Sequence, residues 1–151
     1  MTDRLQILRL YSLSSDLDVL QAEAVRQGFG FIDRLVSDWT NGVNTFSQPG
    51  ECLLGAFAEN RLVGIGGLNR DPYLVRTDVG RVRHLYILDG WRRRGIGRAL
   101  LARLLSEARA AFAEVRLRTD TESAAAFYVR FGFCPIKDAT ASHALNFETR
   151  E

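Results

Sequence analysis

The 151-residue chain is short of several residue types, and each shortage removes a class of chemistry. Its two cysteines, Cys52 and Cys134, form no CxxC pair. That argues against a disulfide framework and leaves two reduced, buried thiols as the expectation. Two histidines, His84 and His143, and no paired cysteines cannot supply a metal-ligand cluster, so no metal is expected. Neither histidine stands in a nucleophile motif with Cys134. No apolar run approaches the roughly 20 residues of a bilayer-spanning helix. The opening Met1-Thr2-Asp3-Arg4 carries no apolar signal core, so a cytoplasmic protein without a membrane partner is expected. Lysine is reduced to Lys137, and the net charge is only +2. The basic cluster Arg92-Arg93-Arg94 lacks interleaved aromatic platforms, so a nucleic-acid partner is not expected.

What remains is ordinary globular material: 46% hydrophobic and 25% charged residues, with no repeat, linker or low-complexity tract. One domain over residues 1–151 is expected. Apolar spacing predicts a strand over 5–10 and a helix over about 16–27, capped by Ser14 or Ser15 and stopped by Gly28. A second helix carries Phe31, Ile32, Leu35, Val36 and Trp39, and ends at Asn41-Gly42. Residues 52–68 read as a hairpin about Glu59-Asn60. Further strands are expected at 80–88, 115–119, 134–136 and 144–148, with helices at 98–112 and 123–130. The order describes an α/β (α+β mixed) domain with a mixed sheet, whose 98–112 helix joins two parallel strands.

The informative segment is residues 85–98, Leu-Tyr-Ile-Leu-Asp-Gly-Trp-Arg-Arg-Arg-Gly-Ile-Gly-Arg. An apolar strand enters a turn of arginines and glycines that opens on a helix. A helix start offers unpaired N–H groups and a positive dipole end, and glycine admits a bulky anion, so a phosphate or pyrophosphate ligand is expected. No Gly-x4-Gly-Lys-Ser/Thr string exists, which excludes a nucleoside-triphosphate loop. Gly95-x-Gly97 lacks the third glycine of a dinucleotide fingerprint. Gly64-x-Gly66-Gly67 lies within a hairpin strand and reads as close backbone packing.

Arg92-x-x-Gly95-x-Gly97 resembles the Gln/Arg-x-x-Gly-x-Gly/Ala signature of the GNAT superfamily of acyl-CoA N-acyltransferases. Downstream, Ala124-x-x-Phe127-Tyr128-x-x-x-Gly132-Phe133 is similar to the superfamily's second signature. Both motifs fall in order and on the expected elements. The resemblance implies a single GNAT-like domain: a central sheet of six to seven strands, helices on both faces, and a splayed strand pair forming a CoA groove. It also implies acetyl-CoA as co-substrate, in contact with Leu85, Tyr86, Ile87, Arg92, Arg93, Arg94, Gly95, Ile96, Gly97 and Arg98. The amide of Ile87 would face the thioester oxygen. Tyr128 would protonate the departing thiolate after direct attack by a primary amine of a small molecule or peptide. A non-catalytic acyl-CoA-binding or sensor module is the alternative, and a homodimer is left open.

The chain departs from the superfamily's pattern in one respect. Strand alternation puts Arg81, Arg83 and Leu85 on one face and Val82, His84 and Tyr86 on the other. Arginine then stands where a general base is usual, and guanidinium cannot serve as one. The base would be water assisted by Glu51 or a carboxylate of loop 69–78, or else His84 if a bulge breaks the alternation. Arg81 and Arg83 would favour an acceptor carrying a carboxylate or phosphate, such as an amino acid. Arg70, Asp71 and Tyr73 fall on a loop that can reach the acceptor. Thr121 replaces the usual asparagine and retains a capping hydroxyl.

Overall fold

The protein was analysed as a computed structural model, which describes residues 4–147. Strand β1 (Leu5–Arg9) precedes helices α1 (Leu17–Arg26) and α2 (Phe31–Thr40). Then come β2 (Cys52–Ala58), β3 (Arg61–Arg70) and β4 (Val79–Ile87). Helix α3 (Ile96–Ala111) leads to β5 (Glu114–Leu117), α4 (Glu122–Arg130), β6 (Cys134–Pro135) and β7 (His143–Asn146). The seven strands form one sheet in the order β1-β2-β3-β4-β5-β7-β6. Only β4 and β5 pair in parallel; every other neighbour is antiparallel. The expected mixed sheet, with a helix crossing between its parallel strands, is therefore present. Glu148, assigned to the last strand from its sequence, lies outside the described residues.

Local chemistry accounts for most boundaries. Glu59 and Asn60 both have positive φ, 54° and 64°, as the tight turn of a two-residue hairpin requires. Thr121 caps α4, its Oγ1 accepting from Ala124 N at 3.2 Å. Neither Ser14 nor Ser15 is the cap expected for α1, whose N-cap is Asp16; Ser14 instead turns the chain before it, accepting from Asp16 N through Oγ at 3.3 Å and from Leu17 N through its carbonyl at 3.1 Å. The helix thus begins at Leu17. Of the two thiols expected to be buried, Cys52 is buried but Cys134 is exposed. The strand β6 that carries Cys134 is a two-residue edge strand with both residues exposed, so alternation there selects no core face.

Each sheet face is covered by its own helices. On one face α3 buries Ile96, Leu100, Leu101, Leu104 and Ala108 against Leu54, Val82 and Val115, with Tyr128 of α4 beside them. On the other, Leu17, Leu20, Ile32 and Leu35 pack on Leu53, Ile65 and Tyr86. Each buried leucine contributes about 1.5–3 kcal/mol. The glycines of β3 let both layers approach closely. A Cβ at Gly66 would stand 2.9 Å from Leu104 Cδ1, and one at Gly67 would stand 2.7 Å from Phe46 Cε1.

One buried ion pair ties the β3–β4 loop to the sheet. Arg81 Nη1 meets Asp71 Oδ2 at 3.3 Å, and Arg81 Nη2 donates to Thr140 O at 2.6 Å, reaching across to the β6–β7 loop. Asp71 is 1% exposed and accepts from Tyr73 N at 2.8 Å. The Tyr73 ring lies 4.8 Å from the guanidinium. Truncating one partner would strand the other charge in the interior. Arg81→Met should therefore cost about 3–5 kcal/mol in urea unfolding. Adding Asp71→Asn should recover most of that loss. Equal losses in the single and double variants would show that the pair contributes little.

Candidate active site

Strands β4 and β5 pair over only three positions: Val79 with Glu114, Gly80 with Val115 and Arg81 with Arg116. Beyond them β5 stops at Leu117 while β4 continues to Ile87. The strands separate, and a cavity of about 910 Å³ opens between them. The register between β3 and β4 shifts along the same stretch. Gly67 faces Arg83 but Ile65 faces Tyr86, so His84 and Leu85 stand opposite the single residue Gly66. His84 has φ 61°. This is a β-bulge with a histidine in the left-handed region, a conformation costly for a side chain with a Cβ.

The bulge corrects the expected facing of β4. Val82 packs with the α3 layer and Tyr86 with the α1–α2 layer, so they do not share a face. Leu85 packs with the α3 layer, away from the α1–α2 side on which His84 meets Phe46 at 6.0 Å. Alternation is right up to Arg83 and fails at the extra residue.

At one end of the cavity α3 begins two residues earlier than apolar spacing indicates. Gly95, with φ 81°, is its N-cap, and the first helical bond runs from Ala99 N to Gly95 O at 3.0 Å. The amides of Ile96, Gly97 and Arg98 therefore have no partner within the helix. Arg93, Gly95, Ile96, Gly97 and Arg98 all line the cavity. Gly97 is not required by the protein's own packing, because a Cβ there would meet only Ile87 and Phe127 at 3.7 Å.

The arginines of this turn take separate roles. Arg92 is exposed and lines the cavity, but its guanidinium is engaged: Nε donates to Ile87 O at 2.8 Å, Nη1 lies 3.3 Å from Asp89 Oδ1, and Nη2 donates to Gln27 Oε1 at 3.1 Å. Arg94 lies over the Trp91 ring at 4.6 Å. Tyr86 joins the network, its hydroxyl donating to Glu23 Oε2 at 2.7 Å, and Glu23 Oε2 also accepts from Asp89 N at 2.9 Å. Burial and the Glu23 carboxylate drive the Tyr86 phenol well above its ordinary range. Glu23 and Gln27 were not singled out from the sequence, although their four-residue spacing on a helix places both on one face.

The middle of the cavity is walled by Leu85, Ile87, Phe127 and Tyr128. Leu88 N bonds to Val63 O at 2.9 Å, and residues of an antiparallel ladder alternate in facing their partner. The Ile87 amide therefore turns from β3 toward the splayed side. Tyr128 is buried, with the Phe127 and Phe133 rings at 5.3 and 5.6 Å. Burial alone raises its phenol above the ordinary range, so the hydroxyl holds its proton.

At the far end stand Tyr73, Arg81, Arg83 and His84. Arg81 is held by Asp71 and Thr140. The carboxylates considered as bases are likewise engaged. Asp71 pairs with Arg81 and Asp78 with Arg76. Glu51 accepts from Gln48 N and Arg70 N at 3.0 and 2.9 Å. His84 is buried, its Nδ1 without a partner. Burial, aided by Arg83, depresses its pKa to about 3, so the ring is neutral.

This arrangement has counterparts. A family model described as the acetyltransferase (GNAT) family matches residues 16–133. The chain belongs to the GNAT acetyltransferase family. Among solved structures, a proposed acetyltransferase from Exiguobacterium sp. 255-15 is 27% identical, with a TM-score of 0.85, over 95% of this chain and 93% of that one. The ribosomal-protein-S18-alanine N-acetyltransferase from Escherichia coli is similar in fold, with 17% identity and a TM-score of 0.69 over 98% and 97% of the two chains. A GCN5-related N-acetyltransferase from Kribbella flavida gives 18% and 0.70 over 93% and 95%. No curated protein matches the chain in sequence. Membership brings acyltransferase chemistry with an acyl-CoA donor, and the seven-stranded mixed sheet is the fold that the sequence motifs implied. Among the described residues no group of side chains could hold a metal ion, and no helix is long and apolar enough to cross a membrane.

The buried imidazole of this GNAT chain makes a pH-dependent contribution to stability. His84 titrates near 3 when folded and near the ordinary value of about 6.5 when unfolded. The unfolded chain takes up the proton first, so this contribution is complete above about pH 6.5 and is lost as pH falls toward 3. The melting temperature of the wild type should drop more steeply between pH 7 and pH 4 than that of His84→Gln. Parallel profiles would place a solvated histidine there.

Proposed function

We propose that the whole chain, residues 1–151, is an N-acetyltransferase that moves an acetyl group from acetyl-CoA to a primary amine of a small molecule or peptide. The observation that carries this reading is one cavity with unpaired amides of the α3 start at one end and the protonated Tyr128 phenol on its wall. Two features of this chain suit an acyl-CoA. The space over Gly97 is left open by the protein, and the splay exposes the β4 edge near Ile87 to an extended amide-bearing arm.

The amides of Ile96, Gly97 and Arg98 hold the pyrophosphate, supported by the helix dipole. Arg93 and Arg98, which line the same end, add charge. Arg92 contributes by fixing the turn, because its guanidinium is occupied by Ile87 O, Asp89 and Gln27. The Ile87 amide donates to the thioester oxygen as negative charge develops on it. The neutral amine forms the new C–N bond directly, and the C–S bond breaks. Tyr128 gives its proton to the departing thiolate. The surplus proton on nitrogen leaves to water through the open cavity, because the buried His84 ring, its pKa depressed to about 3, is too weak a base to hold it. No covalent intermediate on the enzyme is needed.

A non-catalytic acyl-CoA-binding module is the second reading, favoured by the engagement of Asp71, Asp78 and Glu51, the carboxylates considered as bases. Thiol release from acetyl-CoA against a broad panel of amines separates the two: binding without release would select the module.

Tyr128→Phe should lower kcat by roughly ten-fold or more while the Kd for acetyl-CoA stays within about two-fold. Unchanged turnover would remove the acid role. Gly97→Leu should leave the melting temperature within a few degrees, since leucine is a good helix former, and raise the Kd for acetyl-CoA at least ten-fold by calorimetry. Unchanged affinity would place the pyrophosphate elsewhere.

A further inference from the structure

A second cavity of about 540 Å³ adjoins the first on the α2 side of the sheet and shares Arg34, Tyr73 and Arg83 with it. Its charged groups are unequal in freedom. Arg34, Arg70 and Arg83 line it, against Asp38 and Glu51. Glu51 is committed to two backbone N–H groups. Arg83 is half-buried, and among the described residues it has no hydrogen bond and no carboxylate within ion-pair distance. Asp38 acts on it only through space, while Arg81 and Arg34 oppose its charge. Arg81 is already neutralised by Asp71, and Arg34 is exposed to solvent, so among the described residues Arg83 is the half-buried cation at the junction without an anion.

Two further polar groups wait in the same cavity. Asn44 Oδ1 accepts from Phe46 N at 2.9 Å, which fixes the orientation of its amide and leaves Nδ2 buried without a partner. Asn69 Oδ1 is also buried without a partner. An unpaired buried polar group costs roughly 1–3 kcal/mol, and the half-buried Asn44 and buried Asn69, both on the cavity wall beside an unpaired guanidinium, suit a polar ligand there. A guanidinium fork and an amide N–H together match a planar carboxylate, and the free carbonyl matches an N–H of the same molecule.

We propose that this second cavity is the acceptor half of the site and that it selects an amine bearing a carboxylate, an amino acid or a close relative, through Arg83 and Asn44. The inference deepens the acetyltransferase reading and rests on it for the direction of the amine. The carboxylate docks at the junction of the two cavities, and the amino group enters the splayed groove toward the thioester. Polyamines are disfavoured because Arg34, Arg70 and Arg83 outnumber the one uncommitted carboxylate, Asp38. The guanidinium fork also pairs bidentately with phosphate, so an aminoalkyl phosphate is the competing ligand that the test includes.

The test uses the full chain with the twenty proteinogenic amino acids, each beside its carboxamide, together with spermidine and aminoethyl phosphate. Calorimetry measures binding to the free protein, and thiol release from acetyl-CoA measures turnover. At least one amino acid should exceed its amide ten-fold or more in kcat/KM and in affinity. In R83Q that ratio should fall to near one, mainly through KM, with the Kd for acetyl-CoA within two-fold. R83K should restore only part of the ratio, because it returns the charge without the fork. Equal use of acids and amides, preference for spermidine or aminoethyl phosphate, or a ratio unmoved in R83Q would overturn the proposal. If amino acids bind with the expected ratio and acetyl-CoA does not bind, the carboxylate site stands and the acetyltransferase reading falls. If acetyl-CoA is turned over with amides as readily as acids, the reverse holds.

Discussion

One extra residue in β4 organises the whole site. Residue-for-residue pairing of β3 with β4 does not run the length of the strand. Instead His84 and Leu85 together oppose Gly66. The bulge sharpens the local twist, and the pairing with β5 ends at Arg81. It also reverses which layer the following side chains meet. Tyr86 is thereby sent into the α1–α2 layer, where its hydroxyl finds Glu23, while Leu85 and Ile87 turn to the α3 side. The left-handed backbone at His84 is a local cost, and the helix layers packed on either face of the sheet hold the conformation.

The two halves of the groove are built from different materials. At the α3 start, main-chain amides face the cavity, and the side chains around them act as scaffolding. Arg92 pins Ile87 O, Asp89 and Gln27, while Glu23 holds both Tyr86 and Asp89 N, so α1 is fastened to the turn before α3. At the far end the relation is inverted. There the backbone belongs to the sheet, and Tyr73, Arg83 and His84 present their side chains. The Arg81–Asp71 pair keeps the intervening loop in place and reaches the β6–β7 loop through Thr140.

Much of this was legible in the sequence, for reasons that are local. The strand–turn–helix at 85–98, the hairpin at Glu59-Asn60, the Thr121 cap and the close packing of Gly64, Gly66 and Gly67 each depend on the residues that form them. The start of α3 was placed two residues late because Ile96 and Gly97 carry a motif rather than an amphipathic stripe. The facing of β4 failed at His84, where a register shift depends on β3 and leaves no mark in β4 itself. Arg81 and Arg83 read alike along the chain, and only the fold separates them, by giving Asp71 to one and nothing to the other. The second cavity was legible only as a region, because Asn44 and Asn69 lie 25 positions apart and meet through tertiary structure alone.

The engagement of Arg92 within the turn has a consequence for how this protein tolerates change. Where a cradle is made of main chain, almost any side chain that preserves the helix start preserves the cradle. Where selection rests on a few side-chain tips, as proposed for Arg83, single substitutions redirect it without disturbing the helix start at the other end of the groove. The two ends are therefore mutationally uncoupled. On the proposed reading, the acceptor end can change while the helix start at the other end is kept.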